Sequence, residues 1–178
     1  MNASIKKKID VLKASELFIN NNCLTEKQSI LLTLAGQKPV SEVTTGKKET
    51  TSTGWKSVPE NHSIVRDFLH SLGLQCSIED HGSATNAIIS LDSSLIEQYL
   101  DSTNLGTNIG ALFGYPKTAT EAFGDNDLMM GLDEQDEIMS SEGLPLFMPN
   151  FRFSKLHFKK EIEVLKAWHD TLKRYDFA

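Results

Sequence analysis

The chain has 178 residues, of which 39% are hydrophobic and 24% charged, and its formal net charge is −6. This composition is ordinary for a folded globular protein, and the length predicts one domain with its own core. No stretch approaches the roughly 18 apolar residues that a membrane span requires, and the basic N-terminus lacks the apolar run of a signal peptide. We therefore expect a cytoplasmic protein with no membrane partner. The two cysteines, Cys23 and Cys76, are far apart in sequence, which favours free thiols over a disulfide.

The charge is unevenly distributed along the chain. Residues 1–60 carry a net charge of +3, residues 61–150 carry −12, and residues 151–178 carry +3. An acidic body repels phosphate backbones, so the distribution predicts no nucleic-acid partner and favours a basic protein surface instead. The alternative is internal complementarity, in which the basic C-terminal segment lies near the acidic middle.

We predict an α+β fold that is mostly helical, with a helical hairpin over residues 1–36. Apolar residues recur at helical spacing from Ser4 to about Asn20. Thr25 and Gln28 have the spacing of a capping box for a second helix, which Gly36 ends.

Residues 37–56 are predicted to be a flexible loop rich in Thr, Gly and Lys. Only Val40 and Val43 indicate a short strand there. A Gly-Lys pair in this loop is not a phosphate-binding loop, because Ser41 stands at the position of its first glycine and Lys48 at that of its hydroxyl residue.

Residues 57–124 are predicted to contain a helix, a β-hairpin and a helical corner. The helix runs from Pro59 to about Leu72. Alternating apolar residues on both sides of a polar turn predict an antiparallel hairpin over 74–91. Asp92 or Ser94 then caps a helix that leads into the corner.

We call residues 105–124 the GYP corner, because two short helices are predicted to meet there at Tyr115. Gly114 supplies the left-handed residue that ends the first helix. Thr118 and Glu121 have the spacing of a capping box for the second.

Within this corner, the run GALFGYPKTATEAF resembles the LGYP-x-C-C-x-x-F signature of a group of uncharacterised prokaryotic proteins. The resemblance covers fourteen residues. Thr118 and Ala119 stand where that signature has paired cysteines, so it implies no thiol or metal chemistry here. It implies a fold element, and it names no reaction.

Residues 125–143 carry seven acids and no base and are predicted to form an acidic loop or short helix. The segment is not a calcium loop, because Leu128 and Met130 occupy positions whose side chains must ligate calcium. An exposed acidic segment that carries methionines would suit partner binding. The predicted binding residues are Tyr115, Asp133, Glu134, Asp136 and Glu137.

Residues 144–178 are predicted to form an extended segment and then a long amphipathic helix, which Ser154 caps and which ends at about Tyr175. Its helical arc places Glu161 and His169 on the core face and His157 near the edge. Burial would shift the pKa of such groups, so these three are the candidate catalytic residues.

Two interpretations of that trio stay open. A His and a Glu one turn apart can share a proton or a metal ion, although no third ligand is evident and no metal site or cofactor is predicted. The alternative is structural: a core histidine with a partner, and a Glu161 paired with Lys160 or Arg152. In either case Glu161 and His169 should be buried and hydrogen-bonded.

The sequence therefore supports two functional hypotheses. The first is a cytoplasmic interaction or regulatory module that uses the acidic middle and the GYP corner as its surface. The second is a small enzyme, such as a metal-dependent hydrolase, with a pocket between the C-terminal helix and the GYP corner. A pocket with converging His and carboxylate groups would favour the enzyme, and an acidic patch the module.

Overall fold

The computed structural model describes residues 3–18, 25–45, 47–51, 54–58, 62–80, 85–106, 108–146 and 151–177. In chain order its elements are α1 (Ala3–Ala14), α2 (Glu26–Leu34), β1 (Val40–Thr45), β2 (Lys47–Thr51), β3 (Gly54–Val58), α3 (His62–Ser71), β4 (Gln75–Asp80), β5 (Thr85–Ser90), α4 (Ser93–Asn104), α5 (Lys117–Ala122), α6 (Leu132–Ser141) and α7 (Phe158–Arg174). Helices predominate around a small antiparallel sheet, which confirms the predicted α+β class.

The main sheet has three strands in the order β1-β5-β4. β5 lies in the centre and pairs antiparallel with both neighbours, so that Ala87 faces Val43 on one side and Ile78 on the other. The β4–β5 pair confirms the predicted hairpin, whose turn at 81–84 lies outside the described residues. Cys76, on β4, is a free thiol, and Cys23 also lies outside the described residues.

Side chains alternate between the two faces of this sheet, and each face has its own core. Ala87 and Ile89 face the larger core, to which α1, α2, α3 and α7 contribute. Val40 and Ile88 face the smaller one, formed with α4 and the first half of the GYP corner. The sheet is therefore covered on both sides.

The GYP corner is attached directly to the start of β1. The Val40 N–H donates a hydrogen bond of 2.8 Å to the Leu112 carbonyl. Gly114 has a φ of +77°, and a Cβ at this position would lie 2.7 Å from the Gln37 carbonyl oxygen. Gly114 thus allows both the left-handed turn and the close approach of two backbones. The corner before it consists of successive turns and not the regular helix that we predicted.

The short strand indicated by Val40 and Val43 is confirmed by β1, but the prediction of a loop over the rest of 37–56 is wrong, because this segment also contributes most of the hairpin β2–β3. Its many threonines are β-branched and favour extended backbone. Polar residues also stand at buried positions of β1, so the alternation of apolar residues that would predict a strand is incomplete. Ser41 is nevertheless fully buried, and its hydroxyl lies 2.8 Å from that of Thr33.

The predicted alternatives for residues 125–143 are an acidic loop and a short helix, and the structure shows the short helix α6 after a non-helical stretch at 125–131. α6 begins after Gly131 and buries Gln135 and Met139. Asp133 and Glu134 lie in its first turn, where the helix dipole favours negative charge.

The other predicted helix boundaries differ from those in the structure by only a few residues. α1 ends at Ala14 and not near Asn20. α7 begins at Phe158 and not after Ser154, because Ser154 forms an antiparallel bridge with Met129.

Candidate functional site

A cavity of about 200 Å³, which we call the corner pocket, opens at the GYP corner. It reaches from the turns at 108–115 across α5 to the segment that precedes α7. Its walls are mainly apolar, and they include Asn108, Phe113, Tyr115, Thr120, Phe123 and Phe151.

Asn108 holds the two sides of this pocket together. Its Oδ1 accepts a hydrogen bond of 2.9 Å from the Gly110 N–H, and its Nδ2 donates one of 2.7 Å to the Thr120 carbonyl. A Cβ at Gly110 would collide with the methyl group of Thr120. The pocket is thus formed by fixed backbone before any ligand arrives.

A continuous row of aromatic rings lies behind the corner pocket. The ring centroids are 5.8 Å apart for Tyr99 and Phe113, 5.6 Å for Phe113 and Tyr115, and 5.2 Å for Tyr115 and Phe151. Trp168 on α7 continues the row, 6.3 Å from Phe151. Tilted and edge-to-face contacts at these distances are favourable, so the wall of the pocket is well packed.

Lys38 is enclosed by the same rings, on the segment between α2 and β1. Its ammonium nitrogen lies 5.8 Å from the centroid of Phe113, 6.0 Å from that of Tyr115 and 5.4 Å from that of Trp168. The residue is only 3% exposed. Burial lowers its pKa to about 8, although the negative charge of Glu26 opposes this shift.

Tyr115, a predicted binding residue, does line the corner pocket. It is half-buried and packs against the core, so it is a wall of the site and not a freely exposed side chain. Burial, with a smaller contribution from Glu42, raises the pKa of its phenol to about 12. The group therefore stays neutral and can act only as a hydrogen-bonding or apolar contact near neutral pH.

Glu161 is fully buried, as we predicted, and has three hydrogen bonds. Its carboxylate accepts from Thr118 Oγ1 at 2.6 Å, from the Ser154 N–H at 2.7 Å and from Ser154 Oγ at 2.6 Å. The partners are hydroxyl and amide groups, so the predicted pairing with Lys160 or Arg152 is wrong. The side chain connects α5, α7 and the segment before α7.

These bonds also correct two predicted helix caps. Thr118 does not cap α5, which starts after Pro116 without a side-chain cap, because its hydroxyl is used by Glu161. Ser154 is not the N-cap of α7. That position belongs to His157, whose N–H donates to Ser154 Oγ at 3.1 Å.

The structure does not bring His157, Glu161 and His169 together as one site. His157 is exposed, and His169 lies two helical turns beyond Glu161, which is about 12 Å along the axis. His169 is 8% exposed, and burial followed by the charge of Lys173 lowers its pKa. No hydrogen bond joins its ring to another described residue, so only Glu161 meets our expectation of a hydrogen-bonded core group. Among the described residues, no group of three His, Cys, Asp or Glu could hold a metal ion.

A second cavity of about 140 Å³ lies on the other side of α5, which we call the α5–α7 pocket. It is smaller than the corner pocket, and a larger fraction of its lining is polar. Its lining includes Thr118, Glu121, Leu128, Ser154, Leu156 and His157.

The predicted acidic binding residues lie on α6, where Asp133, Glu134 and Glu137 are exposed and Asp136 is half-buried. Gln135 fixes this helix to the segment that carries Phe151. Its Oε1 accepts a 2.8 Å bond from the Phe153 N–H, and its Nε2 donates to the Phe151 carbonyl at 3.4 Å.

The end of α6 also meets the basic C-terminal helix. The Nζ atom of Lys166 lies 2.8 Å from Oε2 of Glu142 and 3.0 Å from Oε1 of Glu163. One contact of the predicted internal complementarity therefore exists, at the surface.

Sequence reasoning missed most of the corner pocket. Phe113, Phe123 and Phe151 would have been found from the density of aromatic residues around the corner. Asn108 and Thr120 would not, because their pairing depends on a fold between two turns. Lys38 lies in a polar stretch that gives no local sign of burial.

Within the described residues, no helix has both the length and the apolar character needed to cross a bilayer. The chain matches no family model, no curated protein and no solved structure. We therefore infer the function from the geometry of the two pockets and their surroundings.

Proposed function

We propose that this protein is a cytoplasmic interaction module whose corner pocket receives one apolar side chain of a basic protein partner. The observation that carries the proposal is a preformed, mainly apolar cavity with an exposed aromatic rim. Phe123, at that rim, is 68% exposed.

The size of the pocket favours a single side chain over a cofactor or a large substrate. Small-molecule sites usually measure about 300–1,000 Å³, whereas an apolar cavity of about 150 Å³ holds benzene. At about 200 Å³ the corner pocket matches one aromatic or branched aliphatic group.

The net charge of the segment that contributes most of the pocket lining favours a basic partner. Residues 85–146 carry eleven acids and one base, Lys117, and Lys117 is already paired with Glu121 at 3.4 Å. A partner with Lys or Arg near its apolar residue would be attracted to this surface, and a nucleic acid would be repelled.

The test is a selection from a randomised peptide display library on the purified protein. We expect enriched peptides to share an apolar residue and a net positive charge. Their binding should be lost in Thr120→Trp, which fills the corner pocket. The control Ser140→Trp adds the same side chain at an exposed position of α6 and should bind normally. Enriched peptides that are acidic, or that bind Thr120→Trp as well as the wild type, would contradict the proposal.

The alternative of a small enzyme is supported by one observation. Ser154 and His157 both line the α5–α7 pocket, and Ser154 Oγ donates to the buried carboxylate of Glu161. Against it, Ser154 is only 3% exposed, and His157 contacts it through a backbone N–H and not through its imidazole. A fluorophosphonate probe that labels the wild type but not Ser154→Ala would favour the enzyme. We expect no labelling.

A further inference from the structure

We infer that the corner pocket and the α5–α7 pocket form one docking surface for an extended, basic segment of a partner protein. The segment would cross α5 and place one apolar side chain in each pocket. This inference rests on the proposed function and adds to it a second contact point, a partner conformation and a spacing.

The two pockets lie on opposite flanks of one short helix. The corner pocket is lined on α5 and just after it by Ala119, Thr120 and Phe123. The α5–α7 pocket is lined by Thr118, Glu121 and Ala122. Because successive helical residues are rotated by about 100°, these two sets are centred roughly 150° apart around the helix axis.

The burial of α5 shows that it forms a ridge between the two cavities. Ala119 and Ala122 are 2% and 4% exposed, and their side of the helix faces the core. The opposite side carries Lys117 and Glu121, whose exposed side chains form the i,i+4 pair. A partner segment that lies across the exposed side of α5 can place one side chain in each pocket.

Exposed apolar side chains surround both pockets. Phe123 stands at the corner pocket, and Leu128 and Leu156 stand at the α5–α7 pocket, where Leu156 is 75% exposed. Large apolar groups left in water around a concave surface are typical of a binding site.

The distance across the helix limits the partner. An α-helix with its side chains is about 10–12 Å wide. An extended chain rises about 3.3 Å per residue and its side chains alternate between two faces, so two apolar residues that both face the protein would be four positions apart. A helical partner, with a rise of about 1.5 Å, would need about seven.

The charge of the ridge argues for a partner of opposite sign. Glu121, Asp125 and Asp127 are exposed along and just after α5. Of the bases in this region, Lys117 is paired with Glu121, and Lys155 lies 3.1 Å from the Asp127 carbonyl. Lys or Arg residues beside the two apolar positions of the partner would therefore be attracted to Asp125 and Asp127.

The experiment uses synthetic peptides taken from the display selection and isothermal titration calorimetry with the full chain. Thr120→Trp blocks the corner pocket, and Leu156→Asp places a charge at the rim of the α5–α7 pocket. We expect each variant to weaken binding by about 10-fold or more, as expected for the loss of one buried apolar side chain. Leu91→Asp is the matched control, because Leu91 is 50% exposed and lines neither pocket, and it should bind within about 2-fold of the wild type.

A double-mutant cycle assigns each peptide residue to its pocket. When one apolar residue is changed to Ala, the peptide should become insensitive to the variant of its own pocket and stay sensitive to the other. Circular dichroism confirms that each variant is folded. If Thr120→Trp does not fold, Phe123→Ala replaces it, because it removes the exposed ring at the rim.

The possible failures are distinguishable. Peptides with one apolar residue that are sensitive to Thr120→Trp but not to Leu156→Asp would overturn this inference and leave the proposed function in place. Apolar residues seven positions apart in a helical peptide would overturn the extended partner. If no peptide is enriched, or none is sensitive to Thr120→Trp, the proposed function itself is wrong, and this inference falls with it.

Discussion

Two ionisable side chains, Glu161 and Lys38, are buried near the GYP corner and have different surroundings. Hydrogen-bond donors surround Glu161, whereas aromatic ring faces surround Lys38. Glu161 is completely enclosed and accepts three hydrogen bonds, all of them 2.7 Å or shorter. Lys38 is 3% exposed and lies over the faces of three aromatic rings. Hydrogen bonds compensate a buried carboxylate well, whereas ring faces compensate a buried ammonium only in part.

The difference shows which group stabilises the fold and which one costs free energy. Glu161 joins three segments, so its removal would leave several donors without a partner. Lys38 has a lowered pKa, which means that the folded state disfavours its charged form. Because two of the three rings around Lys38, those of Phe113 and Tyr115, also line the corner pocket, that cost is located next to the proposed binding surface.

The largest effect is expected from Glu161→Ala. The change leaves the hydroxyl of Thr118 and the hydroxyl and N–H of Ser154 unpaired in a buried place. We expect the free energy of unfolding to fall by about 3–5 kcal/mol, measured by urea unfolding with tryptophan fluorescence. Glu161→Gln keeps the shape and one acceptor oxygen and should cost less.

Glu163→Ala is the control for that measurement, because Glu163 is exposed on the same helix. It should change the free energy of unfolding by no more than about 0.5 kcal/mol. A loss in Glu161→Ala as small as that of the control would show that the three hydrogen bonds do not hold these segments together.

The second-largest effect is expected at Lys38, where removal of the buried charge should raise the free energy of unfolding. Below the folded pKa of about 8 the ammonium is charged in both states, and the folded state bears the cost of burying it. Between about 8 and 10.5 the unfolded chain still holds a proton that the folded protein has lost, so stability should rise with pH. The total rise is about 3 kcal/mol if the shift is fully expressed.

Lys38→Met should remove this rise and increase stability at pH 7 by up to about 3 kcal/mol. The measurement is urea unfolding between about pH 7 and 9.5, because unfolded tyrosines begin to ionise near pH 10. Above that value Tyr99 and Tyr115, whose pKa is raised to about 12 in the fold, should make stability fall again. The exposed Lys117→Met is the control, and an unchanged pH profile in Lys38→Met would refute the assignment.

A smaller loss of stability is expected from Gly114→Ala, which would push the GYP corner away from residues 37–39. Gly114→Ala introduces a Cβ in the left-handed region, 2.7 Å from the Gln37 carbonyl oxygen. Gly124→Ala is a matched control, because Gly124 also has a positive φ, of +91°, but no described residue other than its chain neighbours lies within 4 Å of its Cβ position. We expect about 1 kcal/mol for Gly124→Ala and about 2–3 kcal/mol for Gly114→Ala, measured by urea unfolding. Equal losses would show that the contact between the corner and residues 37–39 is not tight.

Local signals in the sequence predicted local structure well. The capping box of Thr25 and Gln28 is present with both of its hydrogen bonds, and Asp92 caps α4 through the Ser94 N–H. The hairpin over 74–91 was evident from the alternation of apolar residues. Such features depend on neighbours a few residues away and on little else.

Local sequence patterns gave wrong predictions where a distant residue binds the same side chain. Thr118 and Glu121 have the spacing of a capping box, yet the Thr118 hydroxyl bonds to Glu161, 43 positions along the chain. Only Val40 and Val43 indicate the strand β1, because the buried positions of Ser41 and Thr45 hold polar side chains that find partners in the fold. The burial of Glu161 followed from the arc of α7, but its partners could not be derived from one helix. The corner pocket needs contacts between the turns at 108–115, α5 and Phe151, which no periodicity encodes.

The smallest effect is expected at His169, which lies on the same helix as Glu161 but has no hydrogen bond to a described residue. Its pKa is lowered from the usual 6.5, mainly by burial and then by Lys173, while Asp170 opposes the shift. As the pH falls from 6.5 toward the folded pKa, the unfolded chain takes up a proton that the folded protein resists, so stability should decrease. His169→Gln should flatten this part of the pH profile in urea unfolding experiments between about pH 5 and 8. Lys173→Ala should only reduce the slope, because burial is the larger cause, and a slope that persists unchanged in His169→Gln would mean that another group titrates there.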